Sequence, residues 1–300
     1  MSVASPAARL RELLARPGLV LMPCCFDAWS ARLIERHGFA LTFMSGFAVA
    51  AARHGLPDTG LVSYGEMVDA GRAITAAVGI PVIGDGDTGY GNALNVRRTV
   101  EGYAAAGFAA VMIEDQVAPK RCGHTEGKQV VPRDDALVRI RAAVDARVGG
   151  ADILILARTD ARATDGLDEA LARVRAFEDL GADILFVEAP RSEAEMEAVC
   201  RATTKPNLAN MIDGGATPVL PPARLAELGY AIAAYPLALL AAATAAMERA
   251  LKDLADGRMP ETAASFARLR TLAGFDDYLA AEKAYAAPPA PRPRGGAAKP

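Results

Sequence analysis

Pro81-Val82-Ile83-Gly84-Asp85-Gly86-Asp87 and Ala110-Val111-Met112-Ile113-Glu114-Asp115, joined through a segment of helical period at 93–106, decide how this chain is read. Neither apolar run shows the polar alternation of a strand with one wet face, so both read as parallel strands covered on two sides. Both end abruptly in carboxylates. The same unit recurs outward in both directions. Apolar runs stand at 19–23, 41–45, 152–160, 184–189, 207–211 and 231–235. Helical segments at 28–37, 64–77, 133–147, 167–180, 192–201 and 222–228 lie between them. Gly38, Gly79, Gly107, Gly181 and Gly229 read as helix stops, and Asp165 and Ser192 as helix N-caps. Eight such strands in roughly 220 residues fit an α/β fold of the (β/α)8 TIM-barrel type. A doubly wound sheet would carry a Gly-rich phosphate turn after its first strand. Here the first strand runs into Pro23-Cys24-Cys25-Phe26-Asp27.

Past the eighth strand come a helix at 237–255 and a further helical stretch to about 285. These exceed what a barrel needs and are placed to pack on a second subunit. The expected organisation is one barrel domain over 1–285, with an N-terminal helix and these C-terminal helices. The Pro/Gly/Ala-rich tail 286–300 is expected to be disordered.

Composition narrows the function classes. Of 300 residues, 33 are Lys or Arg and 36 are Asp or Glu, a net charge of −3, which argues against a basic nucleic-acid clamp. A chain that is 52% hydrophobic and 23% charged is not disordered throughout. No apolar run is long enough for a bilayer; the nearest, 232–247, is broken by Pro236. Arg9, Arg11, Glu12 and Arg16 interrupt the amino-terminal apolar pattern, so no signal peptide is expected, and the protein is expected in the cytoplasm. The four cysteines form no CxxC pair and histidines number three, so any metal should be a hard ion held by carboxylates.

Chemistry in such a barrel collects at the carboxyl ends of the strands. Those ends carry Ser45-Gly46, Asp85 and Asp87, Glu114-Asp115, Arg158-Thr159-Asp160, Glu188, and Asn207 with Asn210. A single acid there is most simply a helix cap. Asp85, Asp87 and Glu114 at neighbouring strand ends would repel one another unless a cation sat among them, and all-oxygen coordination suits Mg²⁺ or Mn²⁺. The segment 116–132 is far longer than an ordinary connection and reads as a lid over substrate. Within it Cys122 is flanked by Lys120, Arg121 and His124, a setting that lowers a thiol pKa and fits a general acid, a base or a nucleophile. A solvated basic loop with an incidental cysteine is the plain alternative.

Lys120-Arg121-Cys122-Gly123-His124 resembles the signature of the isocitrate lyase/phosphoenolpyruvate mutase superfamily. The resemblance continues through Ser45-Gly46, Gly55-Leu56-Pro57-Asp58, Asp85-Gly86-Asp87-Thr88-Gly89, Glu114-Asp115-Gln116, Ala157-Arg158-Thr159-Asp160 and Asn210, covering 21–285. It implies a barrel whose last helix is swapped between subunits, a homotetramer built as a dimer of dimers, and Mg²⁺. It also implies small 2-hydroxy or 2-oxo acid substrates handled through an enolate. By resemblance Asp85 is the direct metal ligand, and Asp58, Asp87 and Glu114 hold the ion's waters. Ser45, Gly46 and Arg158 receive a substrate carboxylate. Lys120, Cys122, Gly123 and His124 lie on the gating loop, while Glu188 and Asn210 line the substrate wall.

Cysteine at position 122 resembles the carbon–carbon lyases of the family, whereas its mutases usually carry asparagine there. Cleavage of a 2-hydroxydicarboxylate, of the 2-alkylmalate or 2-methylisocitrate type, leaves a carbanion that a loop thiol can protonate. Phe43, where isocitrate and 2-methylisocitrate lyases resemble each other in a tyrosine, points toward 2-alkylmalates or oxaloacetate. The alternative is a phosphonate-processing mutase of the carboxyvinyl-carboxyphosphonate type, or an oxaloacetate decarboxylase or hydrolase, on the same site.

Overall fold

Eight short strands with no polar alternation line up side by side in the computed structural model, which describes residues 4–122, 127–261 and 264–286. They are β1 (Val20–Cys25), β2 (Thr42–Met44), β3 (Val82–Asp85), β4 (Ala110–Glu114), β5 (Leu154–Thr159), β6 (Ile184–Val187), β7 (Leu208–Asn210) and β8 (Ile232–Tyr235). All pairings are parallel, in the order β6-β5-β4-β3-β2-β1-β8-β7. The ring is drawn shut where the Leu185 N–H donates to the Pro206 carbonyl at 2.9 Å and Leu185 bridges Asn207. This is the (β/α)8 barrel of the TIM type, and the open sheet is excluded.

Strand alternation splits the apolar residues into two cores. Met22, Cys24, Ile83, Met112, Leu156, Ile184 and Ile232 fill the barrel interior. Cys25, Met44, Val82, Val111, Ile155, Leu185 and Val187 meet the surrounding helices. The helix Pro6–Leu14, capped by Ser5, adds Ala7 and Leu10 to the inner core beside Leu41 and Ala109, which precede β2 and β4. That closes the amino-terminal mouth and leaves the carboxyl mouth for chemistry.

Local expectations hold with two corrections. Ser192 caps its helix through the Glu195 N–H. Asp165 instead ends a short helix, Ala161–Thr164, and the next helix, Leu167–Asp179, starts at Gly166 without a side-chain cap. Gly79 is not a left-handed stop; its N–H donates to Glu35 Oε1 at 2.7 Å. Between β2 and the helix Tyr64–Ala77, residues Ala50–His54 form a wide π-helical turn that no periodicity announced.

Phe108 is wedged between two glycines. A Cβ on Gly71 would lie 2.3 Å from its ring, and one on Gly84 would lie 2.8 Å from it and 2.6 Å from Tyr103. The two fully buried rings stack at 4.8 Å and cannot retreat. Gly84→Ala is therefore expected to cost about 1–3 kcal/mol by overpacking. Urea unfolding reads it, and an unchanged midpoint would show that the rings yield.

The chain divides into two compact units, Met1–Ala246, which holds the barrel, and Met247–Pro300. The helix Ala238–Ala255 begins in the first and ends in the second. The second unit also contains helices Phe266–Ala273 and Phe275–Ala286, with Arg270 over the Phe275 ring and Leu272 buried. Met247, Leu251, Leu254, Phe266, Phe275 and Tyr278 are exposed there. Residue 286, expected in the loose tail, is the last of a helix; the rest of that tail lies outside the described residues. No described helix is long and apolar enough to cross a membrane.

Candidate active site

Glycine lets the strand ends approach closely. A Cβ on Gly86 would meet the Met112 carbonyl at 2.6 Å, and one on Gly46 would meet Asp85 Oδ2 at 2.4 Å. With hydrogen in that place, the Gly46 N–H donates to Asp85 Oδ2 at 3.1 Å, and the Asp87 N–H to Asp85 Oδ1 at 3.1 Å. The N–H expected to receive substrate is thus spent on Asp85 in this structure. Ser45 caps the short helix Gly46–Val49 through the Ala48 N–H. Its hydroxyl proton can still be donated outward. Asp87 takes up a left-handed backbone, φ 47°, at a cost the surrounding packing sustains.

The carboxylates share a cation of the chain's own. Lys120 Nζ lies 2.5 Å from Asp58 Oδ1 and 2.9 Å from Asp87 Oδ1. Burial opposes its charge, yet Asp87, Asp85, Glu114 and Asp58 together hold the ammonium well above the usual lysine pKa. Asp87 is pushed up to about 6, because burial outweighs the help of Lys120. Burial likewise raises Glu114 well above the carboxylate range, against the pull of Arg158. Among the described residues, no three acid, histidine or cysteine side chains are gathered tightly enough, as placed, to hold a metal ion. The donor set nevertheless suits one. Asp58, Asp85, Asp87 and Glu114 are hard oxygen ligands at one end of the barrel, and Glu114 Oε1 is buried with no hydrogen-bond partner.

Arg158, at the end of β5, stands across from them. Its guanidinium makes a two-point contact with Asp160, Nε to Oδ2 at 2.8 Å and Nη2 to Oδ1 at 3.0 Å. Glu188 lies 3.1 Å and Glu114 3.3 Å away. Burial alone would lower its pKa, but Asp160, Glu188 and Glu114 raise it, so it stays charged. Asn210 Nδ2 donates to Glu188 at 3.2 Å, and Phe186 lies under the guanidinium at 5.2 Å. Asp160, fully buried, also pairs with Lys128 at 2.8 Å. Burial would raise its pKa, but Arg158 and Lys128 overcome this and hold it well below the ordinary range.

These groups open onto one cavity of about 70 Å³, lined by Ser45, Asp58, Asp85, Glu114, Lys120, Cys122, Arg158, Glu188 and Asn210. The same cavity is also lined by apolar side chains: Phe43, Phe47, Phe186, Leu208, Ile212 and Leu237. Charged and apolar side chains thus share one small pocket. Gly123 and His124, expected on the gating loop, lie outside the described residues.

Sequence reasoning gave no role to Asp160, Lys128, Gln116, Phe47, Ile212 or Leu237. Asp160 had a signal, since residues two apart at a strand end point the same way and Arg158 precedes it by two. Lys128 had none, being 32 residues from its partner.

Known proteins share this fold and sequence pattern over almost the whole chain. The family described as phosphoenolpyruvate phosphomutase matches residues 10–255. The chain is 45% identical over 285 residues to 2,3-dimethylmalate lyase of Eubacterium barkeri, covering 93% of this chain and 98% of that one. Among solved structures, oxaloacetate acetylhydrolase in complex with 3,3-difluorooxalacetate superposes with a TM-score of 0.91 at 36% identity, covering 94% of this chain and 97% of that one. Phosphonopyruvate hydrolase, in complex with oxalate and Mg²⁺, gives a TM-score of 0.83 at 29% identity, covering 95% and 100%. With a family match over 10–255, 45% identity to a curated relative and near-complete coverage of both chains, the chain belongs to the isocitrate lyase/phosphoenolpyruvate mutase superfamily of enzymes.

Proposed function

We propose that the protein is a Mg²⁺-dependent carbon–carbon lyase that cleaves a 2-hydroxydicarboxylate of the 2-alkylmalate type into a 2-oxo acid and a carboxylate. One observation carries it: Cys122 lines the same cavity as Arg158, Ser45, Asp58, Asp85 and Glu114, together with the apolar Phe43, Phe47, Ile212 and Leu237. A mutase moving a phosphoryl group has no use for a thiol there, whereas a departing carbanion needs a proton. The similarity to 2,3-dimethylmalate lyase supports the same substrate class.

Asp85, with Asp58, Asp87 and Glu114, would hold the divalent ion, Mg²⁺ or Mn²⁺. Bound there, it supplies positive charge to the oxygens of the oxo-acid half as negative charge develops. Arg158 and the Ser45 hydroxyl fix the carboxylate of that half. The alkyl substituent lies against Phe43, Phe47, Ile212 and Leu237. As a general base takes the hydroxyl proton and the C2–O bond becomes a carbonyl, the C2–C3 bond breaks, its electron pair stays on C3, and Cys122 delivers a proton to that carbon. The proton held by the base returns to the thiolate before the next turnover. Buried surroundings keep water from the carbanion. Gly123 and His124 sit beside Cys122 in sequence and complete the loop. Assembly as a helix-swapped tetramer would cover Met247, Leu251, Phe266, Phe275 and Tyr278 of the second unit. A small metabolic acid as sole partner fits a cytoplasmic protein.

Incubation with 2,3-dimethylmalate, 2-methylisocitrate, oxaloacetate and phosphonopyruvate, followed by ¹H and ³¹P NMR, tests the assignment. Pyruvate and propionate should form from dimethylmalate, stop with a chelator and resume with Mg²⁺. Phosphorus rearrangement of phosphonopyruvate without any cleavage of hydroxy acids would overturn it in favour of the mutase.

A further inference from the structure

Gln116 follows β4 at the root of the long loop and is 1% exposed. Its backbone is held firmly. Its carbonyl accepts from Arg139 Nη1 at 2.7 Å, and it bridges Val130 in antiparallel fashion. On either side the Val117 N–H donates to the Gln129 carbonyl at 2.8 Å and the Val131 N–H to the Asp115 carbonyl at 2.9 Å. The loop thus rises from a short two-stranded stem anchored to the barrel.

From this fixed root the side chain reaches five residues ahead. Gln116 Oε1 accepts from the Arg121 N–H at 3.0 Å, and Nε2 donates to the Arg121 carbonyl at 2.9 Å. The amide does for Arg121 what a neighbouring strand would do, satisfying donor and acceptor at once. That N–H belongs to the peptide unit beginning at Lys120, and that carbonyl to the unit leading into Cys122. One planar amide therefore orients both peptide units around Arg121. On one side Lys120 is delivered to Asp58 and Asp87; on the other Cys122 is delivered to the cavity. Gln116 itself does not line that cavity, so any influence on the reaction passes through its neighbours.

We propose that Gln116 is a positioning residue for the reaction: its amide sets Lys120 and Cys122 against the pocket and so governs kcat rather than substrate affinity. The kinetic part rests on the lyase reading above; the positional part does not. A side chain that merely filled space would affect unfolding and leave the thiol where it is.

The test uses the full chain carrying Gln116→Leu, which removes both hydrogen bonds, and Gln116→Glu, which keeps only the acceptor for the Arg121 N–H. Three quantities are read: the thermal midpoint, the rate of Cys122 alkylation by iodoacetamide resolved by peptide mass, and kcat and KM on the cleaved hydroxy acid. Cys200, also part-exposed and remote in sequence, is the internal reference. In the leucine variant kcat should fall about 100-fold, the worth of displacing a reacting group by an ångström or so, with KM little changed. Cys122 alkylation should rise about tenfold, as expected on losing two hydrogen bonds of ordinary net strength, while Cys200 is unaffected. The glutamate variant should fall between leucine and wild type.

A folded leucine variant with wild-type kcat and wild-type alkylation overturns the proposal. Should leucine not fold, the same null result in the glutamate variant overturns it. If the wild type cleaves no hydroxy acid while the variants still release Cys122 to alkylation, the lyase assignment fails and the role of Gln116 in holding the loop stands.

Discussion

Cys122→Ser is expected to lower kcat by about 10²–10⁴-fold, the usual worth of a well-placed general acid. Serine keeps the size and the hydrogen-bonding capacity, but its hydroxyl gives up a proton far less readily than a thiol. The binding groups are untouched, because Arg158, Ser45, Asp85 and Glu114 belong to strand ends and Asp58 to the connection before the helix Tyr64–Ala77, none of them to the Cys122 loop. Oxalate binding measured by calorimetry in the presence of Mg²⁺ should therefore stay close to wild type. Steady-state cleavage of dimethylmalate reads the first quantity. Wild-type turnover in the serine variant would remove Cys122 from the reaction and leave the loop as a cover alone.

Arg158→Met should be the most damaging single change to the folded state. The guanidinium is shared by Asp160, Glu114 and Glu188, which are 0%, 2% and 1% exposed. A methionine of similar reach fills much of the space but leaves these acids without their common cation. Removing one partner of a buried ion pair typically costs about 3–5 kcal/mol. Lys128 continues to serve Asp160 and burial already favours the protonated form of Glu114, so Glu188 bears most of the loss. Urea unfolding at neutral pH measures it, and a loss below about 1 kcal/mol would show that water or protonation replaces the arginine at little cost. Oxalate binding should vanish along with the clamp.

The pH dependence has a definite sign. In the wild type, Arg158 and Lys128 depress the Asp160 pKa against its burial, so the stability it contributes is full above the ordinary carboxylate range. It is lost only as pH falls through the depressed folded-state value. In the methionine variant the abandoned acids can be relieved by protonation, so the gap between variant and wild type should narrow on acidification. Arg158→Lys restores charge but not the two-point contact with Asp160, and should fall between the two.

Much of this was legible before any coordinates. The apolar runs announced the barrel because a parallel strand buried on both faces cannot carry polar alternation, and all eight appear with ends shifted by a residue or two. Asp85, Glu114, Arg158 and Glu188 were legible as site candidates because the barrel places strand ends at one mouth. The π-helical turn at Ala50–His54 and the short helix Ala161–Thr164 were not, since segments of four or five residues carry too little periodic signal.

By itself, then, the amino-acid sequence determined the strand count, the order of polar groups around the mouth and the family. Only the tertiary structure decided that Lys120 sits among the acids as their cation, that Lys128 pairs with Asp160, and that Phe47, Ile212 and Leu237 line the same cavity as the charged groups. Backbone periodicity is a property of a few adjacent residues and is written along the chain. Those contacts join residues dozens of positions apart, and they exist only once the ring of strands has closed and its loops have folded back over it.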